Sequence, residues 1–465
     1  MAKQFGGAIK RYRWRELGLF IIPALIMLVC MTQLLLAGAD SQSSLSAKNL
    51  PTIQGLIPAL GLIGVFVLAN IFLSIFYPQA DQVLLPVIGL ISGIGVMMAT
   101  RLGPDVGQDN LGTKQLTWVL AGIILCMIVL AVLRNVTWLS RYKYSWAVAS
   151  LAVLLPAVIQ GIRTFHTNAP SRDVLNIPGL FQLQPSELLK ITIVIFFAAY
   201  LSEYRDIFSQ GYLRLGGLRL PPLRQMSPLL LMLGLSLVIF LVVRELGLAM
   251  LTYSLFLCMI YLASGRPFYV LTSLGIFVVL AFIGYSLLGY VRDRFATVTF
   301  DVVNWQNWNQ AQTDFYYNQG TQITQGLIAL CSGGIFGAGL GLGHPAGTGF
   351  VPVVQSDMVF TALGEEFGLV GLFGLVGLYL LILYRGYRIA IEANDAFSKL
   401  LAAGLTSIFA IQTLIICLGN MKFMPLTGIP LPFLSYGGSS ILANFIIVGI
   451  LLRISYNTAV ENGEE

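Results

Sequence analysis

The sequence predicts an all-α protein that crosses a membrane about twelve times. Three observations carry this reading. The 465 residues are 57% hydrophobic and only 10% charged, with a mean hydropathy of +0.81, well outside the usual range of soluble domains. Apolar runs of about 20 residues recur along the chain, the length a helix needs to cross a ~30 Å hydrocarbon core. Lys and Arg gather on alternate connections between those runs. Segments of this kind hide their backbone polar groups in lipid only as helices. The net charge of +6 is therefore a topology signal and not a nucleic-acid footprint. Cys30, Cys126, Cys258, Cys331 and Cys417 form no CxxC pair, so neither a disulfide framework nor a zinc site follows. With His166 and His344 the only histidines, a His-based metal site or triad is excluded as a working reading.

The N-terminus carries Lys3, Lys10, Arg11, Arg13 and Arg15 before the first acidic residue, Glu16. The apolar run Leu17 to Leu36 then leads to Ala37-Gly38-Ala39, which resembles a signal peptide with a small-residue cleavage site. The run is longer than a usual signal core, so a retained first helix is expected, its basic head inside. Twelve spans follow near 17–38, 53–77, 83–100, 116–133, 146–162, 185–203, 226–243, 246–264, 267–289, 358–384, 401–418 and 441–456. On this count the inside segments, taken with Arg453 near the inner end of the last span, hold 17 of the 27 Lys and Arg residues, which puts both chain ends in the cytoplasm. Loops 290–357 and 419–440 then lie outside.

Loop 290–357 is too long for a plain connection and is expected to have structure of its own. It opens with Arg292-Asp293-Arg294 and continues through Trp305-Gln306-Asn307-Trp308-Asn309-Gln310 and Tyr316-Tyr317-Asn318-Gln319. Rings for stacking and amides for hydroxyls suit a sugar; the same residues also suit a plain membrane interface. The glycine run Ser332 to Gly343 lacks Gly-Lys-Ser/Thr and follows no strand, so it reads as a close-packed or flexible surface turn, not a phosphate loop. The stretch Val351 to Gly371 then places Asp357, Glu365 and Glu366 at the mouth of an apolar helix. Ser356 and Asp357 are good N-cap residues, with Pro352 blocking an earlier start. Asp357, Thr361, Gly364, Gly368 and Gly371 fall on one helical face. That stripe is either a glycine seam for close helix packing or the approach to a functional carboxylate.

Three further stretches carry polar groups at span ends. Gln184-Pro185-Ser186-Glu187-Leu188-Leu189-Lys190 opens the sixth span with proline in the first turn. Glu187 and Lys190 share a face there, and ionisable groups at that depth are costly and often functional. A structural ion pair or a snorkelling lysine is the competing account. Arg244-Glu245-Leu246-Gly247 makes a charged break between two apolar runs. Met424 to Ser440, a Pro/Gly-rich loop containing Ser435, feeds the last helix. Such irregular backbone is tolerated where it is buried in protein or lines a wet cavity.

These motifs, QPSELLK, RELGLAML, QITQGLIALCSGGIFGAGLGLG, QSDMVFTALGEEFGLVG and MPLTGIPLPFLSYGGSS, stand in the order seen in the SEDS family, the RodA/FtsW proteins, and the chain resembles that family over roughly residues 80–456. The resemblance implies a ten-helix SEDS core with a large extracytoplasmic loop, preceded here by residues 1–79 with two additional N-terminal helices and followed by a tail at 457–465. It also implies polymerisation of lipid II into glycan strands beside a class B penicillin-binding protein. The family's extracytoplasmic aspartate matches Asp357, and its acidic and basic pair matches Glu187 and Lys190. Where the family usually has Gln-Pro-Asp-Leu-Gly, this chain has Val243-Arg244-Glu245-Leu246-Gly247: the carboxylate is one methylene longer, a proline is gone and a cation is added.

A glycan polymerase must deprotonate a sugar hydroxyl and stabilise a departing diphosphate. Asp357 is the expected base. Lys190, Arg292 and Arg294 are the expected diphosphate contacts, and Glu187, Glu245, Glu365, Glu366 and Ser435 complete the expected substrate-binding set. A divalent cation such as Mg²⁺ would suit the same task, but carboxylates near a membrane do not require one, and the cofactor stays open. The competing class is a lipid-linked precursor flippase, using the same polar groups as a path across the bilayer. No inverted repeat is evident, and the polar cluster is biased to the outer face, which favours surface chemistry. The charge count generates the first test. Single cysteines near Asn309 and Phe423 are expected to react with an impermeant label from outside, and one at Ser209 only from inside. Labelling of Ser209 from outside would overturn the topology.

Overall fold

The computed structural model describes residues 13–40, 53–163, 175–177, 181–205, 213–215, 218–220, 223–344 and 351–463. Each of the twelve expected spans appears as a helix: α1 Trp14–Asp40, α2 Ile53–Phe76, α3 Leu84–Leu102, α4 Leu111–Val132, α5 Lys143–Arg163, α6 Pro185–Glu203, α7 Leu223–Val243, α8 Leu246–Ser264, α9 Pro267–Leu287, α10 Val359–Glu392, α11 Ala396–Asn420 and α12 Gly438–Glu461. Among the described residues, 11 of these are long and apolar enough to cross a membrane; the other, α7, contributes the shorter apolar stretch Met226–Ile239. The all-α expectation needs one amendment. Two antiparallel hairpins of three-residue strands occur in connections, Leu175–Ile177 with Phe181–Leu183 and Leu213–Leu215 with Leu218–Leu220.

The chain divides into two compact units. The first comprises residues 1–132, 301–385 and 430–465. Its centre is α3, packed on α1 and α4, with α12 running along α4. α1 and α2 pack on each other and direct Ile21, Ile22, Leu25, Val29, Leu68 and Ile75 outward, as helix faces bathed in lipid require. The second unit comprises residues 133–300 and 386–429. There α6 is the buried centre, packed on α5, α8 and α11; Ile193, Phe196, Phe197 and Ala198 are each at most 1% exposed. α9 is the opposite case, with Tyr269 its one buried residue.

The two additional N-terminal helices are not an appendage. Arg13 and Glu16 are a fully buried pair, Nε to Oε2 2.5 Å apart. Arg13 also donates to the carbonyls of Tyr77 and Ala80 at 2.9 Å and of Asp81 at 2.5 Å, while Asn70 Nδ2 donates to Glu16 at 2.9 Å. Asp81 in turn accepts from the Val83 and Leu84 amides at the head of α3, both at 2.9 Å, and pairs with Arg385 on α10. Its own amide donates to Ser455 Oγ on α12 at 3.1 Å. The connection from α2 to α3, counted as inside, has no Lys or Arg of its own; Arg13 and Arg385 bring it two.

A buried ion is tolerated only when paired and hydrogen-bonded, and removing one partner typically costs about 3–5 kcal/mol. Arg13→Met, which strands Glu16, is expected to lose stability on that scale. Glu16→Gln should lose less, because the amide oxygen still accepts from Arg13. Thermal unfolding in detergent would compare the two, and equal midpoints would remove the ion pair from the account.

Candidate active site

Asp357 lies in the first unit, on a turn formed by residues 351–358. The turn is wound tightly because the amides of Ser356 and Asp357 both reach back to the Val353 carbonyl at 3.2 Å. That geometry holds Val353 at φ +55°, a left-handed conformation that β-branched residues rarely adopt. The loop 430–437 clamps the turn from the other side. Ser435 Oγ donates to the Ser356 carbonyl at 2.6 Å and accepts from the Leu431 amide at 2.8 Å. The Tyr436 amide donates to the Gln355 carbonyl at 2.9 Å, and Gln115 on α4 reaches the Ser435 carbonyl at 3.2 Å. Ser435 therefore stands beside Asp357 as a brace on its backbone. The Asp357 carboxylate is half-buried and accepts from Ser356 Oγ at 3.1 Å.

The structure corrects the expected continuous helix behind Asp357. α10 starts at Val359, so Asp357 sits in the turn just ahead of it. The helix then breaks at Gly368, whose φ of +67° and ψ of −167° interrupt an otherwise helical run. The stripe from Asp357 to Gly371 consequently does not share one helical face. What the break accommodates is the glycine run. Ala338 and Gly339 donate to the carbonyls of Glu365 and Glu366, and the amides of Leu369 and Val370 donate to those of Gly334 and Ile335. A Cβ on Gly368 would sit 2.3 Å from the Gly337 nitrogen, so no other residue fits. Upstream, the helix Thr321–Gly333 presses on the first part of α10, where a Cβ on Gly333 would lie 2.0 Å from the Gly364 carbonyl. The close-packing reading of these glycines thus describes their geometry.

Glu365 and Glu366 are each 1% exposed. Glu365 accepts from the His344 amide at 2.6 Å. Glu366 accepts from the Gly341 amide at 3.0 Å and pairs with Arg101 Nε at 3.1 Å. Arg101 also pairs with Asp105 at 2.5 Å and reaches the Gly343 carbonyl at 3.3 Å. Both glutamates, expected at the substrate, are therefore engaged in tying the glycine run to α10 and α3. Arg101 went unnoticed in the sequence; a cation directly at a span end is the signal that marks it.

In the second unit, Glu187 and Lys190 form the expected pair at 2.6 Å, 1% and 2% exposed. Lys190 Nζ also donates to Gln412 on α11 at 3.0 Å. Gln412 was not singled out, although an amide inside an apolar span is itself a signal. Glu245 is buried between α7 and α8. Arg292 and Arg294 lie on the short helix Gly289–Thr299; Arg292 is exposed, and Arg294 donates to the Leu426 carbonyl at 2.8 Å.

The aromatic and amide stretch of the long loop has the structure expected of it, with some of its amides already used. Asn309 and Gln312 form a reciprocal capping box for the helix Gln310–Phe315, and Gln310 bonds Asp314 at 3.1 Å. Trp308 donates to the Asp301 carbonyl at 2.7 Å and packs on Tyr316, ring centres 5.3 Å apart. Trp305 and Tyr317 remain exposed. Among the described residues, no three His, Cys, Asp or Glu side chains converge as metal ligands.

A family model described as cell cycle protein, covering FtsW, RodA and SpoVE, matches residues 80–460. The chain belongs to this family. It is 36% identical over 405 residues to the peptidoglycan glycosyltransferase RodA of Mycobacterium tuberculosis, covering 85% of this chain and 82% of that one. It is 32% identical over 318 residues to a probable peptidoglycan glycosyltransferase FtsW of Geobacter metallireducens, 68% of this chain and 77% of that one. Its fold resembles a chain in a solved peptidoglycan synthase complex that coordinates polymerization and crosslinking, with a TM-score of 0.60 at 20% identity over 82% of this chain and 98% of that chain. α1 and α2 lie ahead of the span the FtsW/RodA/SpoVE family model matches.

The break at Gly368 generates a structural test. Gly368→Ala is expected to lower the thermal midpoint, since the backbone strain alone costs about 1–3 kcal/mol and the Gly337 nitrogen must also move. Gly374→Ala, on the same helix with nothing within 4 Å of its added Cβ, should be neutral or mildly stabilising. Equal effects would mean that the break is not held by the glycine run.

Proposed function

We propose that this protein is a peptidoglycan glycosyltransferase that polymerises lipid II at the outer face of the cytoplasmic membrane, with both chain ends inside, for cell elongation or division. The observation that carries the reading is the half-buried Asp357 carboxylate on a strained, cross-braced turn, in a chain 36% identical to an enzyme of that name. Strain of this kind persists where the surroundings over-determine it, and it clusters at functional sites.

Asp357 accepts the proton of the acceptor sugar's hydroxyl as that oxygen bonds to the donor's anomeric carbon. The bond from that carbon to the lipid diphosphate breaks, and the diphosphate leaves with the electron pair. General-base help of this kind contributes ~10²–10⁴-fold. The Ser356 hydroxyl, 3.1 Å from the carboxylate, orients the base. Lys190, Arg292 and Arg294 are assigned to the charge that develops on the leaving group, with Glu187 and Gln412 setting the position of the Lys190 ammonium. A class B penicillin-binding protein is the proposed crosslinking partner.

Asp357→Asn tests the base directly. The amide keeps the shape of the side chain and can still accept from Ser356, so folding should be little changed. Base catalysis predicts a fall in polymer yield of about 10²-fold or more, with lipid II still bound. The assay belongs in detergent, where no second leaflet exists and transport cannot be mistaken for synthesis. Undiminished polymer from Asp357→Asn would remove this carboxylate from the mechanism.

A further inference from the structure

The turn Arg244-Glu245 is a meeting point of three elements. α7 ends at Val243 and α8 begins at Leu246, so two residues reverse the chain, and Arg244 does so at φ +63°. Gly247 lies directly against the outer loop, where a Cβ would come within 2.6 Å of the Thr427 side chain. The neighbouring Leu426 carbonyl receives Arg294 from the helix Gly289–Thr299 at 2.8 Å. One turn before Arg294, on the same helical face, stands Tyr290. Burial pushes its phenol up, and the Arg244 charge acts in the opposite sense. Lys422 of the same loop, itself at positive φ, donates to the Phe300 carbonyl just beyond that helix.

Arg294 and Lys422 each have a carbonyl partner. Arg244 is half-buried, yet among the described residues its guanidinium has no hydrogen bond and no ion pair. Glu245, next to it in sequence, is buried, and Asp293, on the helix of Tyr290, is exposed. A cation partly withdrawn from water is costly without a partner, and a non-glycine residue at positive φ adds strain. The first cost is offset if an anion completes the site. A guanidinium offers five donors in a fixed fork that suits phosphate oxygens.

We propose that Arg244 is the cation that engages the phosphate of a lipid headgroup, in a cradle whose other arm is Arg294, one helical turn from Tyr290. The diphosphate of the glycosyl substrate and the phosphate of a bilayer phospholipid share that chemistry. The inference rests on the glycosyltransferase reading only for which of the two fills the cradle.

The test uses the purified full chain in detergent and inorganic pyrophosphate as the probe, read by calorimetric titration. Arg244→Gly is the informative variant, because glycine removes the cation and also suits the left-handed backbone. Its thermal midpoint is expected at or above that of the wild type, while pyrophosphate affinity falls about tenfold or more. Arg244→Lys should recover part of that loss. No pyrophosphate binding by the wild type, or unchanged affinity in Arg244→Gly, would overturn the cradle. Because this readout involves no turnover, it stands apart from any failure of the polymerase reading. The source is then separated in two arms. A raised KM for lipid II with kcat maintained identifies the substrate diphosphate; an unchanged KM with loss of binding to phosphatidylglycerol vesicles identifies the phospholipid. Neither change would also overturn the proposal.

Discussion

Every backbone amide and carbonyl placed at membrane depth needs a partner inside the protein, because lipid supplies none. Helices meet that demand within themselves, so the places where this chain leaves the helix govern the rest of the site. The glycine run and the break at Gly368 solve the problem jointly, the amides of one segment bonding the carbonyls of the other. Neither could be irregular alone. The first part of α10, with Asp357 on the turn before it, is thereby detached from the long helix that follows and packed instead on the helix Thr321–Gly333.

Charges obey the same rule. The buried Glu366 is met by Arg101 and by the Gly341 amide, and Lys190 by Glu187 and Gln412. In each case the partner comes from a segment distant in sequence or from the next turn of the same helix. These pairs are better understood as fixing register than as adding stability, since a buried pair can be no more favourable than apolar residues of the same volume.

The helices were legible because a run of about 20 apolar residues leaves few alternatives. Asp357 and the pair Glu187 and Lys190 were legible for the converse reason, as charges in a chain with few of them. The break at Gly368 was not. Leu369 and Val370 continue the apolar run, and a glycine within it reads as a packing seam; the signal lay some 30 residues upstream, in a glycine run that needed a surface to bind. The amides near Trp305 were open to a sugar reading because composition does not reveal that Asn309 and Gln312 cap a helix. Arg13 was hidden among the basic residues that set topology. Among the described residues Arg13 is buried in the protein, which no count of charges distinguishes.

That buried arginine bears on how the protein is made. Its partners Glu16, Tyr77, Ala80 and Asp81, together with Asn70, all lie within the first 81 residues. Once α1 and α2 have inserted and the following turn has emerged from the ribosome, the ion pair is already satisfied, without any later helix. Arg385 and Ser455, which bind the same turn through Asp81, are synthesised some 300 and 370 residues afterwards. The sequence order therefore allows the contacts of Arg13 to form before α10 and α12 are synthesised.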